Sequence, residues 1–248
     1  MNATVKRMPK HDEIADSLTR DILQGQYRTG ERLPSERDLA ARFAANRGAV
    51  REAMKKLEQL GIAEIQPGGA RVTPLNQASL DVIGCLLSLG DVPQPDLVDQ
   101  ILVVIASLVQ TAALNAVRKA DDQELRELRQ LVRPLHESEL DPEAHMQARV
   151  DMMHSIMAAS GNLPVQLIAH ALLQFMPAMT PLDGLAEVDR ASHRRLAKAL
   201  DEAMEHRDLD QIARVFNELS ELNRQQARGA FDAYRAMQTR SFKEVATS

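Results

Sequence analysis

Arg47, Arg51 and Lys55 recur at every fourth residue, a spacing that on a helix lines two guanidinium groups and an ammonium along one stripe. Left in water, such a stripe is only a solvated helix face. Set against a polyanion, its guanidinium forks can take phosphate oxygens and the O6/N7 edge of guanine. The neighbours favour the second use: Asn46 precedes the stripe, Gly48 and Ala49 are small enough to admit a base edge, and Arg37 stands just upstream. Gly68, Gly69 and Arg71 follow in a Gly-rich turn. A different chemistry is suggested by Asp151 and His154, at i, i+3, together with His193, since these residue types hold divalent metals. Isolated Asp and His residues are more often polar points on a helix face, and a catalytic constellation does not emerge. The seven His are scattered, Cys85 is the single cysteine, and no Ser/His/Asp or metal-hydrolase spacing occurs.

The stripe requires a helix, and the pattern around it supplies one. Ile14, Leu18, Ile22 and Leu23 repeat at helical spacing and stop at Gly25, which predicts a first helix over 11–25. Ser35, after Pro34 and three residues before Asp38, starts a short second helix with Leu39 and Phe43 inward. Asn46 caps a third, whose inward face is Val50, Ala53, Met54, Leu57 and Leu60 and whose stop signal is Gly61. Two short helices joined by a tight turn make a helix-turn-helix. Ile62–Ile65 and Ala70–Thr73 alternate around Gln66-Pro67-Gly68-Gly69, which predicts a small β-hairpin, or wing.

Beyond Ala78 the chain reads as about seven helices, with breaks at 91–95, 119–122, 141–142, 160–164, 177–184 and 207–208. The helix around Leu97–Val117 is apolar almost all round and is expected at the centre of the bundle. Its apolar run, interrupted by Ser107, Gln110, Thr111 and Asn115, suits a buried core helix rather than a membrane span.

The net charge of −5 is unevenly distributed: residues 1–75 carry 13 Lys+Arg against 10 Asp+Glu, and the remainder 17 against 25. A basic first part suits phosphate contacts, and an acidic second part faces away from them. One cysteine excludes a disulfide framework and fits a reducing cytosol, and the N-terminus lacks the apolar run of a signal peptide, so a cytoplasmic location is expected.

The segment GERLPSERDLAARFAANRGAVREAMKKLEQLGIAEIQPGGARV, Gly30 to Val72, resembles the signature of the GntR family of bacterial regulators. The shared pattern is a Leu-Pro-Ser-Glu-Arg-x-Leu-Ala segment, an Arg-x-x-Val-Arg-Glu-Ala helix and a Gly-containing wing. The resemblance implies that Arg37, Arg47 and Arg51 grip operator phosphates and guanine edges and that Gly68 is the wing tip in the minor groove. The chain departs from the family in having Asn46-Arg47 where Ser-Arg or Thr-Arg is usual, and Gly48-Ala49 where hydroxyl residues are frequent.

The all-helical second part resembles the FadR-type branch of that family, through Ala158-Ala159-Ser160-Gly161-Asn162-Leu163-Pro164 and Ser192-His193-Arg194. Many members of the branch hold a divalent metal with an Asp and a His on the helix before Ser-Gly-Asn and two later His, and bind a small organic acid against it. Here Arg149 and Met153 occupy the first two places, His193 matches a third, and the last falls near Leu219 or Ser220. Asp151 and His154 would restore a site only if that helix were shifted by a residue. Where relatives carry an effector-binding arginine on the central helix, this chain has Ile101-Leu102-Val103-Val104-Ile105-Ala106. The resemblance thus implies an apolar pocket, as in the branch's fatty-acid-responsive member.

The expectation is a mainly α protein: a winged helix-turn-helix with a β-hairpin wing over 1–75, and an all-α bundle over 76–248 for effector binding and dimerisation. Its partners are double-stranded operator DNA, a second copy of itself and a small-molecule effector, with no membrane. The expected function is sequence-specific transcription regulation, as a repressor, without catalysis or an obligatory cofactor. The effector pocket would draw on Ile101, Ile105, Met153, His154, Asn162, His193 and Asn223 and take an acyl-CoA or hydrophobic acid. A small acid bound through a divalent metal, and a ligand-independent architectural DNA binder, are the alternatives.

Overall fold

The computed structural model describes residues 8–179 and 189–246, so part of the expected break at 177–184 lies outside the described residues. The chain forms two compact units that divide between Val92 and Pro93. The boundary therefore lies beyond the expected cut after Leu75. Residues 76–92 belong with the first unit because α4 (Val82–Leu87) turns Val82 into that unit's core.

The first unit is assembled on α1 (Lys10–Leu23), α2 (Glu36–Arg42) and α3 (Arg47–Gln59), followed by β1 (Ala63–Gln66) and β2 (Gly69–Val72). Ile14, Leu18 and Ile22 of α1 meet Leu39 of α2 and Val50, Ala53 and Leu57 of α3 in one core, closed by Ile62, Ala63, Ala70 and Val72. These are the positions that apolar periodicity selects, and their burial contributes on the order of 1.5–3 kcal/mol for each large side chain. Both helix starts are capped: Ser35 accepts from the Asp38 amide at 3.3 Å, and Asn46 accepts from the Ala49 amide at 2.8 Å. The α2–α3 turn places Ala44 at φ 47°, a left-handed conformation that lets one helix end and the next start with only four residues between them.

The sheet is wider than the expected hairpin. β1 and β2 pair antiparallel, Ala63 with Val72 through Gln66 with Gly69, and the segment before α2 adds to the outer edge of β2. Gly30 N–H donates to Val72 O at 2.8 Å, Val72 N–H to Glu31 O at 3.0 Å, and Leu33 N–H to Ala70 O at 2.9 Å. This long-range pairing leaves almost no period-two trace in Gly30-Glu31-Arg32-Leu33, where only Leu33 turns to the core.

The second unit is helical throughout its described residues: α5 (Pro95–Lys119), α6 (Asp122–Val132), α7 (Pro134–Glu137), α8 (Pro142–Ala159), α9 (Leu163–Leu173), α10 (Met176–Met179), α11 (Arg190–Glu205) and α12 (Leu209–Ala246). α5 packs on α8, α9 and α12, burying Val98, Ile101, Ile105, Val109, Ala112, Ala113, Ala116 and Val117. It is long and apolar enough to cross a membrane by composition, but that buried stripe makes it a core helix. Contrary to expectation α5 is not enclosed on all sides, because Val103 and Val104 stay 39% and 45% exposed on its open face.

The corners are explained by local chemistry. At Ser160-Gly161-Asn162 the Ser160 hydroxyl donates to Met157 O at 2.7 Å, Gly161 takes φ 61°, and the Asn162 side chain accepts from Val165 N–H at 3.3 Å to start α9. Between α11 and α12, Arg207 adopts φ 52° while its guanidinium donates to Val117 O and Ala120 O, each at 2.8 Å. Those two bonds hold the α5 terminus against the α11–α12 corner and offset the cost of a left-handed non-glycine residue.

Candidate nucleic-acid interface

The stripe expected on α3 lies on its solvent side, opposite the buried Val50, Ala53, Met54 and Leu57. Its members differ in what they touch. Arg51 is 64% exposed and reaches across to Glu36 at the start of α2, with Nε 3.0 Å from each carboxylate oxygen. The Glu36 carboxylate raises the Arg51 pKa further above its ordinary value. Lys55 pairs with Glu52 on its own helix at 2.8 Å. Arg47, exposed in the first turn of α3, makes no hydrogen bond or ion pair among the described residues. Arg37 projects into solvent, with only a long approach of 3.7 Å to Asp38.

Surface ion pairs of this kind contribute about 0–1 kcal/mol, so a phosphate can replace Glu36 or Glu52 at little cost. The carboxylates hold Arg51 and Lys55 extended over the reading face while suppressing weak anion binding. Asn46 spends its amide oxygen on the Ala49 amide, which leaves its NH2 group as the donor toward a phosphate. Gly48 is exposed beside it, and a Cβ there would lie 3.2 Å from Asn46 Oδ1, so the glycine also makes room for the cap.

At the wing, Gly68 and Gly69 take φ 97° and 131°, conformations that L residues rarely adopt. Sequence reasoning missed Arg32 here. Its guanidinium lies over the turn, with Nε 2.8 Å from where a Gly69 Cβ would stand, so Gly69 is required both for the turn and for the arginine above it. Arg71, expected to face DNA, donates to Gly30 O at 2.9 Å and braces the third segment of the sheet. Arg32 and Arg71 are also bridge partners across the sheet edge. The signal that would have revealed Arg32 is that bridge, which joins residues far apart in sequence.

In the second unit the effector candidates separate. Ile101 and Ile105 are 4% and 6% exposed and pack in the core, whereas a groove of about 220 Å³ runs along another side of α5, between Val103, Gln110, Phe216 and Arg224. Asn162 is an N-cap, Met153 is half-buried, and His154 is exposed on α8. Asp151, exposed on α8, accepts from Gln147 at 2.8 Å, whereas His193 is buried, 3% exposed. The three weak metal candidates are thus not brought together, and no group of three or more His, Cys, Asp or Glu suited to a metal exists among the described residues.

His193 and Asn223 do meet. His193 Nδ1 donates to Asp189 O at 2.9 Å, and its Nε2 lies 3.3 Å from Asn223 Oδ1. The α12 residue that faces His193 is therefore Asn223, a turn beyond the expected Leu219 or Ser220. Arg149 Nη2 donates to the same Asn223 oxygen at 2.7 Å, and the His145 ring stands edge-on to His193 at 5.7 Å. Burial pushes the His145 pKa down to about 4 and also lowers that of His193, with the Arg149 charge acting in the same direction on both. At the place where the resemblance to the FadR-type branch implies a metal-binding Asp, this cluster has the Arg149 guanidinium. A fixed cation beside these imidazoles, whose protonated forms its charge already disfavours, does not suit a divalent ion.

Residues 10–72 match the family model described as "Bacterial regulatory proteins, gntR family". Over 203 residues the chain is 28% identical to the HTH-type transcriptional regulator Mce2R of Mycobacterium tuberculosis, spanning 79% of this chain and 84% of that one. It is 25% identical over 205 residues to the galactonate operon transcriptional repressor of Escherichia coli K12, spanning 81% and 89%. The solved structure of Lar, described as controlling expression of the Listeria monocytogenes agr system, is similar in fold, with a TM-score of 0.52 over 93% of this chain and 99% of that one at 16% identity. A capped recognition helix, an arginine-bearing wing and these matches identify residues 10–72 as a gntR-type DNA-binding region, in a chain that over most of its length is similar to bacterial transcription regulators.

Proposed function

We propose that the chain is a dimeric, ligand-responsive repressor that reads a palindromic operator through α3 and the wing and releases it when the helical unit binds a small effector. The observation that carries the DNA contacts is the unpartnered Arg47 at the start of α3, next to Arg51 and Lys55, whose carboxylate partners are exposed and replaceable. Arg51 reads a guanine edge, and Arg37, Asn46, Arg47 and Lys55 position the protein on phosphates. Gly68, Gly69 and Arg32 bring the wing to the minor groove. A second copy gives two recognition helices about 10 bp apart or fewer, and the exposed Val103 and Val104 of α5, with Leu163, Leu167 and Ile168 of α9, are the apolar surface it would cover. The effector is an acyl-CoA or a hydrophobic acid, and it acts by binding the two arrangements of the DNA-reading units with different affinity.

The test is fluorescence anisotropy with a duplex selected from a random pool, at one stated salt concentration, with and without decanoyl-CoA or decanoate. Sequence-selective binding that weakens with either compound is the expected result. Selective binding that is indifferent to both would make the protein a ligand-independent DNA binder, and binding without selectivity would overturn the operator reading.

A further inference from the structure

We propose that Glu36 is a positioning residue for operator recognition: its carboxylate occupies the Nε edge of Arg51, which leaves the two Nη groups to read a guanine and makes a phosphate the poorer partner. This deepens the reading of Arg51 given above and rests on it.

The pair joins the two helices of the helix-turn-helix. The single Nε–H of Arg51 is shared between the two oxygens of Glu36, 3.0 Å from each, and the Arg51 side chain makes no other hydrogen bond among the described residues. A guanidinium can offer a base edge either Nε with one Nη or its two Nη groups. With Nε taken, only the end-on fork remains, and it matches the paired acceptors O6 and N7 of guanine. Both ends of the pair are held by the fold. Glu36 opens α2 next to the Ser35 cap, with Leu39 of α2 fully buried, and Arg51 follows the fully buried Val50 on α3. The side chain is therefore oriented before DNA arrives, which reduces the ordering cost of the contact.

The neighbouring cations supply a contrast. Arg47, one turn earlier on α3, makes no hydrogen bond or ion pair among the described residues and is free to take a phosphate from any direction. Lys55 has Glu52 at 2.8 Å, but an ammonium is a point charge with rotating donors, so that pair fixes no direction. The charge of Glu36 then separates two kinds of ligand. A guanine edge is neutral and can join the Arg51–Glu36 pair without disturbing it. A phosphate has to displace Glu36 or lie beside it, and a displaced carboxylate is left facing the DNA backbone. Glu36 thus weakens contacts of Arg51 with the backbone relative to contacts with a base, and specificity is that difference of affinities. Both side chains are partly exposed, Arg51 at 64% and Glu36 at 41%, so the effect is several-fold rather than absolute.

The experiment is fluorescence anisotropy of the full chain at one fixed salt concentration. The probes are the selected duplex, a scrambled duplex of the same composition, and selected duplexes carrying 7-deazaguanine in place of each guanine in turn. Glu36→Gln should lower the ratio of selected to scrambled affinity by about fivefold, in part by tightening the scrambled duplex. In the wild type, loss of N7 should weaken binding about tenfold at one guanine, and in Glu36→Gln only about twofold at the same guanine. Glu52→Gln removes the same charge from the same surface and is the control: it should tighten both duplexes alike and leave the ratio unchanged. In an Arg51→Ala background, Glu36→Gln should no longer change the ratio. An unchanged ratio in Glu36→Gln, an equal fall in Glu52→Gln, or an undiminished fall in the Arg51→Ala background overturns the proposal. With a selective wild type, any of these results removes this role of Glu36 alone, whereas a wild type that binds both duplexes equally removes the operator reading as well.

Discussion

On the recognition helix Arg51 stands in water beside Glu36, whereas in the helical bundle Arg149 is withdrawn from water with an amide oxygen as its partner. Both are cations of the same kind, and their surroundings give them different tasks. An exposed guanidinium loosely held by a carboxylate can exchange that partner for any phosphate on a long polyanion, so its affinity is modest and sensitive to salt. A desolvated guanidinium held by an amide oxygen has no such freedom to exchange.

The largest expected effect tests whether Arg149 is structural, with Arg129 as the reference. Asp201→Asn should destabilise the helical unit by about 3 kcal/mol in urea unfolding, because Arg129, Arg133 and His136 all face that buried carboxylate. Arg149→Met should cost much less, since it removes a cation that has no carboxylate to lose. Equal losses in the two variants would show that Arg149 is already satisfied and would dissolve the contrast.

Next in size are effects at DNA. Arg51→Ala should weaken the selected duplex by about 1–3 kcal/mol and loosen preference at one base pair, whereas Arg32→Ala should weaken all sequences alike and reduce the salt slope by about 1. If both variants lose affinity uniformly, Arg51 reads phosphate only.

The smallest effect is a pH dependence confined to the bundle. His145 protonates at an ordinary 6.5 when unfolded and only at about 4 when folded, so its contribution to stability is complete above about pH 6.5 and declines as pH falls toward 4. Tm should fall across that window, and the slope should be shallower in His145→Gln. An unchanged slope would place His145 in a wetter environment than the structure gives it.

How much of this was legible in the sequence depended on range. The Asn46 cap, the Ser35 cap and the alternation of core positions along α1 and α3 are local patterns, and the structure bears them out. The breaks at 91–95, 119–122, 141–142, 160–164 and 207–208 were likewise readable, because Pro, Gly and capping residues act on their own neighbourhood. The match of His193 to the family pattern led to the right part of the bundle but with the wrong companions. His145 entered no reading, and Arg149 was noted only as a departure from a metal site.

By itself the sequence determined the helices, their caps, the wing turn and the basic stripe, since each follows from residue types a few positions apart. Only the tertiary structure decided that Gly30–Leu33 joins the sheet, that Arg32 rather than Arg71 is free at the wing, and that Arg149 meets Asn223 and no carboxylate. Those facts depend on which distant segments pack together and on which polar groups that packing leaves without partners, and neither is encoded in local spacing.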